Sequence, residues 1–154
     1  MISRLKFSVE KFRDSIEETQ PFFEAHFEEL AVNKDVTGAV NFNRAMYQKL
    51  EDMGMLLVVN ARNTDGKLVG YYWGHIQSHP HYQHVLMGYV DIFYLAPQYR
   101  VGVNGIEFLQ AIEKALRNRS VQIATMSTKL HKDAAAALEF LKWQETDRVF
   151  RKVL

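Results

Sequence analysis

The residues most able to do chemistry are Pro97, Gln98, Tyr99, Arg100, Val101, Gly102, Val103, Asn104 and Gly105, a turn between an apolar strand pattern and an amphipathic helix pattern. A helix N-terminus offers unpaired N–H groups and the positive end of the helix dipole, so such a turn binds phosphate oxygens. Gly102 and Gly105 let the backbone approach a ligand, Asn104 tolerates left-handed geometry, and Arg100 adds a cation for phosphate. Alone, two glycines and an arginine fit a plain strand-to-helix turn equally well. Asp91 lies on the preceding strand, where period 2 places Tyr89, Asp91, Phe93 and Leu95 on one face; the carboxylate is then either a base or the partner of a neighbouring donor. His75, one strand earlier, suits proton transfer near neutrality or is an ordinary sheet histidine. His79, His81 and His84 are spaced so that their imidazoles can converge on zinc, but a polar loop at the lip of a site is the favoured reading, and no metal is expected.

The elements that must hold these groups follow from periodicity. Ile2–Val9 alternates as a first strand. Ser15–Leu30 carries Phe22, Phe23, His26, Phe27 and Leu30 at helical spacing, with Pro21 expected in a first turn. Residues 32–40 read as a loop, of the kind that lines substrate sites, leading to a helix over Asn43–Met53 that stops at Gly54. Met55–Ala61 and Lys67–Gln77 form a hairpin about Asn63, Thr64, Asp65 and Gly66, and Val85–Leu95 completes an antiparallel meander. Ile106–Arg117 is the long helix, and Val121–Met126 follows so closely that a parallel crossover is expected. Asp133–Leu141 is helical and Thr146–Leu154 is read as a closing β segment. The order predicts an α/β fold with a mixed sheet, in a single domain over residues 1–154.

In this order of elements the chain resembles the GNAT superfamily of N-acetyltransferases. Their acetyl-CoA signature is Arg or Gln, two residues, Gly, one residue, then Gly or Ala. Arg100 and Gly105 occupy its ends, Val103 stands at the middle glycine, and Gly102 lies one place early. The approach through Tyr94, Leu95, Ala96 and Pro97 also fits the family, and the His79–Tyr82 and Ser127–Lys129 stretches are most similar to short acetyltransferases of tailed phages. The resemblance implies a mostly antiparallel central sheet flanked by helices, with a strand-turn-helix site for acetyl-CoA. It implies that Phe93, Tyr94 and Leu95 run along the pantetheine arm and that Arg100, Val101, Gly102, Val103, Asn104 and Gly105 hold the pyrophosphate. Family members place a tyrosine acid four residues before a Gly-Phe pair and an asparagine seven before that tyrosine. Here Lys142 and Trp143 replace the pair, Leu138 replaces the tyrosine, and His131 falls at the asparagine position, as a substitute acid or a surface cap. Asp91 is the first choice of base and His75 the second.

The implied activity is direct acetyl transfer from acetyl-CoA to a primary amine of a small molecule, a modified nucleotide or a protein. The alternative, motivated by Leu138 and Val103, is a CoA-binding or partner-binding protein without turnover, such as a phage-encoded inhibitor. Composition narrows the rest. The 154 residues are 47% hydrophobic and contain no cysteine, which excludes disulfides and thiolate catalysis. A formal net charge of +1 gives no global attraction for duplex nucleic acid. No apolar run has membrane-spanning length, so a cytoplasmic location is expected, the host cytoplasm for a phage product. A homodimer is compatible with these features.

Overall fold

A computed structural model describes residues 4–154. Five strands form one sheet in the order β1-β2-β3-β4-β5: β1 (Lys6–Glu10), β2 (Leu56–Arg62), β3 (Leu68–Ser78), β4 (Leu86–Leu95) and β5 (Ile123–Thr125). The first four are antiparallel, and β5 joins β4 in parallel. The helices are α1 (Phe12–Thr19), α2 (Phe23–Leu30), α3 (Lys34–Thr37), α4 (Arg44–Asp52), α5 (Asn104–Asn118) and α6 (Ala135–Phe140).

Strand β2 is buried on both faces because its alternating side chains enter two separate cores. Leu57, Val59 and Ala61 pack toward the α5 stripe of Phe108, Leu109, Ile112 and Leu116. Leu56 and Val58 point the other way, into Phe12, Ile16, Phe23, Tyr47, Tyr71, Trp73 and Tyr94. The second core is largely aromatic, with Phe23 edge-on to Phe42, Tyr71 and Trp73. Such edge-to-face pairs stabilise beyond the area they bury. The sheet is therefore a wall between two layers, and whatever opens that wall connects them.

Three expectations need correction. Pro21 does not open one long helix; it sits at the start of a 3-10 turn, Gln20–Phe22, that separates α1 from α2. Its missing N–H and fixed φ suit the beginning of a new segment, not the interior of an old one. Residues 32–40 contain the short helix α3, with Asn33 and Gly38 at positive φ on either side. Residues 146–154 form no strand. Val149 and Phe150 are 82% and 89% exposed, and as neighbours in sequence they would face opposite sides of a strand with no layer there to bury both. Of the first predicted strand, Ile2 and Ser3 lie outside the described residues.

Candidate functional site

The wall opens in the middle of β4. Trp73 pairs with Ile92 but Gly74 pairs with Val90, so Asp91 is an extra residue, a β-bulge. The bulge resets the alternation: Val90 joins Phe93 and Leu95 against the α5 core, while Ile92 and Tyr94 face the aromatic core. Asp91 therefore does not share a face with Phe93 and Leu95, as strict period 2 requires. Its Oδ2 accepts a 2.5 Å hydrogen bond from the hydroxyl of Tyr47, on α4. Burial and the Asp91 charge push that hydroxyl above the ordinary phenol range, so it stays a donor.

Beside the bulge the sheet splays. Strands β4 and β5 pair only from Met87↔Ile123 to Tyr89↔Thr125. Beyond that, the outer edge of β4 has no strand neighbour among the described residues, and a cavity of about 560 Å³ lies in the gap. It is lined by Val90 to Phe93 of β4, by Met126 to Lys129 and Leu138, and by residues 37–42 with His26 and Phe27. Val32 and residues 37–40 thus border the cavity. Lys129, Lys132 and Arg151 also border it.

The turn below the splay is tied down in detail. Gly102 takes the positive φ of 57°, while Asn104, expected to tolerate that geometry, is the first residue of α5 and is 2% exposed. Its Nδ2 donates to Tyr99 O at 3.0 Å, and the Tyr99 hydroxyl accepts from Asn63 Nδ2 at 3.3 Å, linking the turn to the β2–β3 hairpin. The Glu107 amide is bonded back to Val103 O at 2.9 Å, and a Cβ built on Gly105 meets nothing within 4 Å. Val101, Gly102 and Val103 are exposed at this helix end.

Arg100 is engaged elsewhere than on a free anion site. Its Nε donates to Leu95 O at 2.6 Å and its two terminal nitrogens grip the Glu29 carboxylate, Nη2 at 2.8 Å and Nη1 closer. Lys132 Nζ lies 3.3 Å from the same carboxylate. These cations hold Glu29 well below the usual carboxylate range, at about 2. Glu29 therefore joins α2 to the turn and to the segment before α6.

The histidines separate. His75 faces Tyr89 in the β3–β4 ladder and its Nε2 is buried without a partner among the described residues; it does not line the cavity. His131 is exposed, with Nε2 3.1 Å from Glu29 O, where it donates to the C-terminal end of α2. His79 Nδ1 accepts from the His81 amide at 3.0 Å, tying that ring into its own loop. Among the described residues no group of three His, Asp or Glu side chains is arranged to hold a metal ion. Leu138 is buried and forms apolar cavity wall.

His26 is the residue that sequence reasoning passed over, since its place on the apolar stripe of α2 marks it as core. It is 2% exposed, stacks on Tyr94 with centroids 4.7 Å apart, and has Nδ1 2.7 Å from the Tyr71 hydroxyl. Burial lowers its pKa to about 4, with the Arg100 charge adding to burial and the Glu29 charge opposing it. Only the combination of an imidazole with so many aromatic residues signalled an unusual environment.

No protein-family model matches the sequence, and no curated protein matches it. Solved structures do. A ribosomal-protein-alanine N-acetyltransferase from Brucella melitensis biovar Abortus 2308 is similar over 98% of this chain and 97% of its own, at 15% identity and a TM-score of 0.73. An aminoglycoside acetyltransferase from an uncultured soil metagenomic sample, in complex with sisomicin, matches over 97% and 96% at 15% identity and a TM-score of 0.73. Glucosamine-6-phosphate N-acetyltransferase from Arabidopsis thaliana matches over 97% and 98% at 10% identity and a TM-score of 0.70. The fold is that of the GNAT acetyltransferases.

Proposed function

We propose that this chain is an acetyl-CoA-dependent N-acetyltransferase that transfers the acetyl group directly to a primary amine. The observation that carries the reading is the coincidence, at one place, of the β4 bulge, the β4–β5 splay and a cavity bordered by a carboxylate. The free edge of β4 offers backbone groups of Val90 to Leu95 to an extended amide-bearing arm, and the first turn of α5 offers N–H groups to the pyrophosphate. Because Arg100 is held by Glu29 and Leu95 O, the turn's contribution is mainly backbone N–H, with Arg100 as the strut that fixes it.

Asp91 receives the ammonium proton, directly or through water, and Tyr47 orients the carboxylate by donating to Oδ2. The neutral amine nitrogen then attacks the thioester carbon, the C–S bond breaks, and the nitrogen loses its second proton to solvent. Leu138 supplies no acid, so the CoA thiolate leaves unassisted and takes its proton from water. A thiolate is a good enough leaving group for this. The acceptors named for the similar structures range from a protein to an aminosugar phosphate.

Two measurements test the reading. Acetyl-CoA at millimolar concentration raises the melting temperature by mass action, and an amine panel yields acetyl-CoA-dependent thiol release. Asp91→Asn lowers kcat about 100-fold or more while leaving acetyl-CoA affinity within about threefold. A thermal shift without thiol release on any amine favours the second reading, a CoA-binding protein without turnover, for which Leu138 and the occupied Arg100 are the motivating observations.

A further inference from the structure

We infer that His26 presents a fixed Nε2–H donor into the cavity and selects acceptor amines that also carry a hydrogen-bond-accepting oxygen, a carbonyl, carboxylate or hydroxyl. The inference rests on the acetyltransferase reading for its word acceptor, but not for its chemistry.

The donor follows from hydrogen-bond accounting. The Tyr71 side chain is fully buried, and its hydroxyl has one hydrogen-bond partner among the described residues, His26 Nδ1. Were Nδ1 the donor, the Tyr71 proton would be buried with no acceptor, which native interiors avoid. Tyr71 therefore donates, Nδ1 is the acceptor, and the neutral ring carries its proton on Nε2. Burial raises the Tyr71 pKa, so the phenol keeps that proton.

The direction follows from exposure. Nε2 has no hydrogen-bond partner among the described residues, yet it is absent from the buried polar atoms sealed without one, which are Asn60 Oδ1, Trp73 Nε1 and His75 Nε2. The cavity is the space that this otherwise buried ring borders. The cavity is lined by apolar Phe27, Leu30, Phe42 and Ile92 together with Asp91, and Lys129, Lys132 and Arg151 also border it. A neutral donor in apolar surroundings gains from an oxygen acceptor and discriminates against an analogue lacking one, because the donor is then left unpaired. With Asp91 as the amine's partner, the cavity favours an amine that also bears an oxygen acceptor.

Two readouts on the wild-type chain test this. Nitrogen-15 NMR of labelled histidine near neutral pH is expected to show His26 protonated on Nε2 and unprotonated on Nδ1. The reverse tautomer overturns the inference. Calorimetry compares phenylalanine amide with 2-phenylethylamine, which differ by one carboxamide. The amide is expected to bind about tenfold tighter, the gap falling below about threefold in His26→Phe and surviving in part in His26→Gln, which keeps an N–H donor. Equal binding of the two probes, no binding of the amide at millimolar concentration, or a gap that persists in His26→Phe overturns it. Acetyl-CoA binding is measured separately by thermal shift, so its absence removes the acetyltransferase reading while the tautomer and the paired-amine result still decide the role of His26.

Discussion

Single residues set how this protein responds to acid. His26 has its pKa lowered from 6.5 to about 4, so the unfolded chain takes up its proton first as pH falls, and stability is lost from about pH 6.5 down through 4. Glu10 is lowered from 4.5 to about 2, chiefly by hydrogen bonding to Arg62, with Asn60 and Ser8 helping and burial opposing. Glu29 is lowered likewise by Arg100. Both contribute stability that is present above about pH 4.5 and is lost on acidification toward 2. Urea midpoints measured from pH 7 to 3 should fall in two stages; His26→Gln removes the upper one and Arg62→Gln shrinks the lower. A midpoint that stays flat between pH 7 and 5 would contradict a neutral, buried His26. Packing gives a second test. A Cβ on Gly74 would lie 2.1 Å from the Tyr72 hydroxyl, and Tyr72, 1% exposed, has little room to retreat. Gly74→Ala should therefore cost about 1–3 kcal/mol of unfolding free energy by chemical denaturation.

At the scale of elements, the sequence is most legible where one local rule acts alone. Asn63 marks the hairpin because its Oδ1 accepts from the amides of Asp65 and Lys67, at 3.0 and 2.9 Å, an interaction within five residues. Asn43 marks the start of α4 in the same way, its side chain accepting from the Met46 amide at 3.0 Å; Asn43→Ala should cost about 1 kcal/mol in thermal or urea unfolding. The α5 stripe and the parallel crossover into β5 are also read correctly from periodicity and spacing. The bulge is not, because Tyr89, Val90, Asp91, Ile92 and Phe93 alternate acceptably either way, and the extra residue is defined only by the register of β3 across from it. The face assigned to Asp91 fails for that reason. The ion pair of Arg100 is hidden for a similar reason, since its partner Glu29 lies 71 residues earlier.

At the scale of the whole molecule, the cavity meets residues of both cores, and the C-terminal end belongs to neither. The α5 core closes over Leu57, Val59 and Phe108, and the aromatic core over Phe12, Phe23 and Trp73, all nearly inaccessible. The cavity enters between them through the splay, so a ligand there touches both layers without being enclosed by either. Residues 146–154 stand outside this arrangement. Their ion pair and hydrogen bond among the described residues are local, Arg148 to Glu145 at 3.7 Å and Thr146 to Asp147 at 2.7 Å, and Val149, Phe150 and Leu154 are largely exposed. Only Arg151 borders the cavity. Burial is what stabilises a fold, at roughly 25 cal/mol per Å² of apolar surface, and a segment that buries little should contribute little. A chain ending at Glu145 is therefore expected to melt within about 2–4 °C of the full chain, a change of at most about 1 kcal/mol for a domain of this size. If Arg151 steadies an anionic part of a ligand, the same variant should lose acetyl-CoA affinity while its unfolding is unchanged. A fall of the melting temperature well beyond that range would mean that residues 146–154 pack against the core in solution.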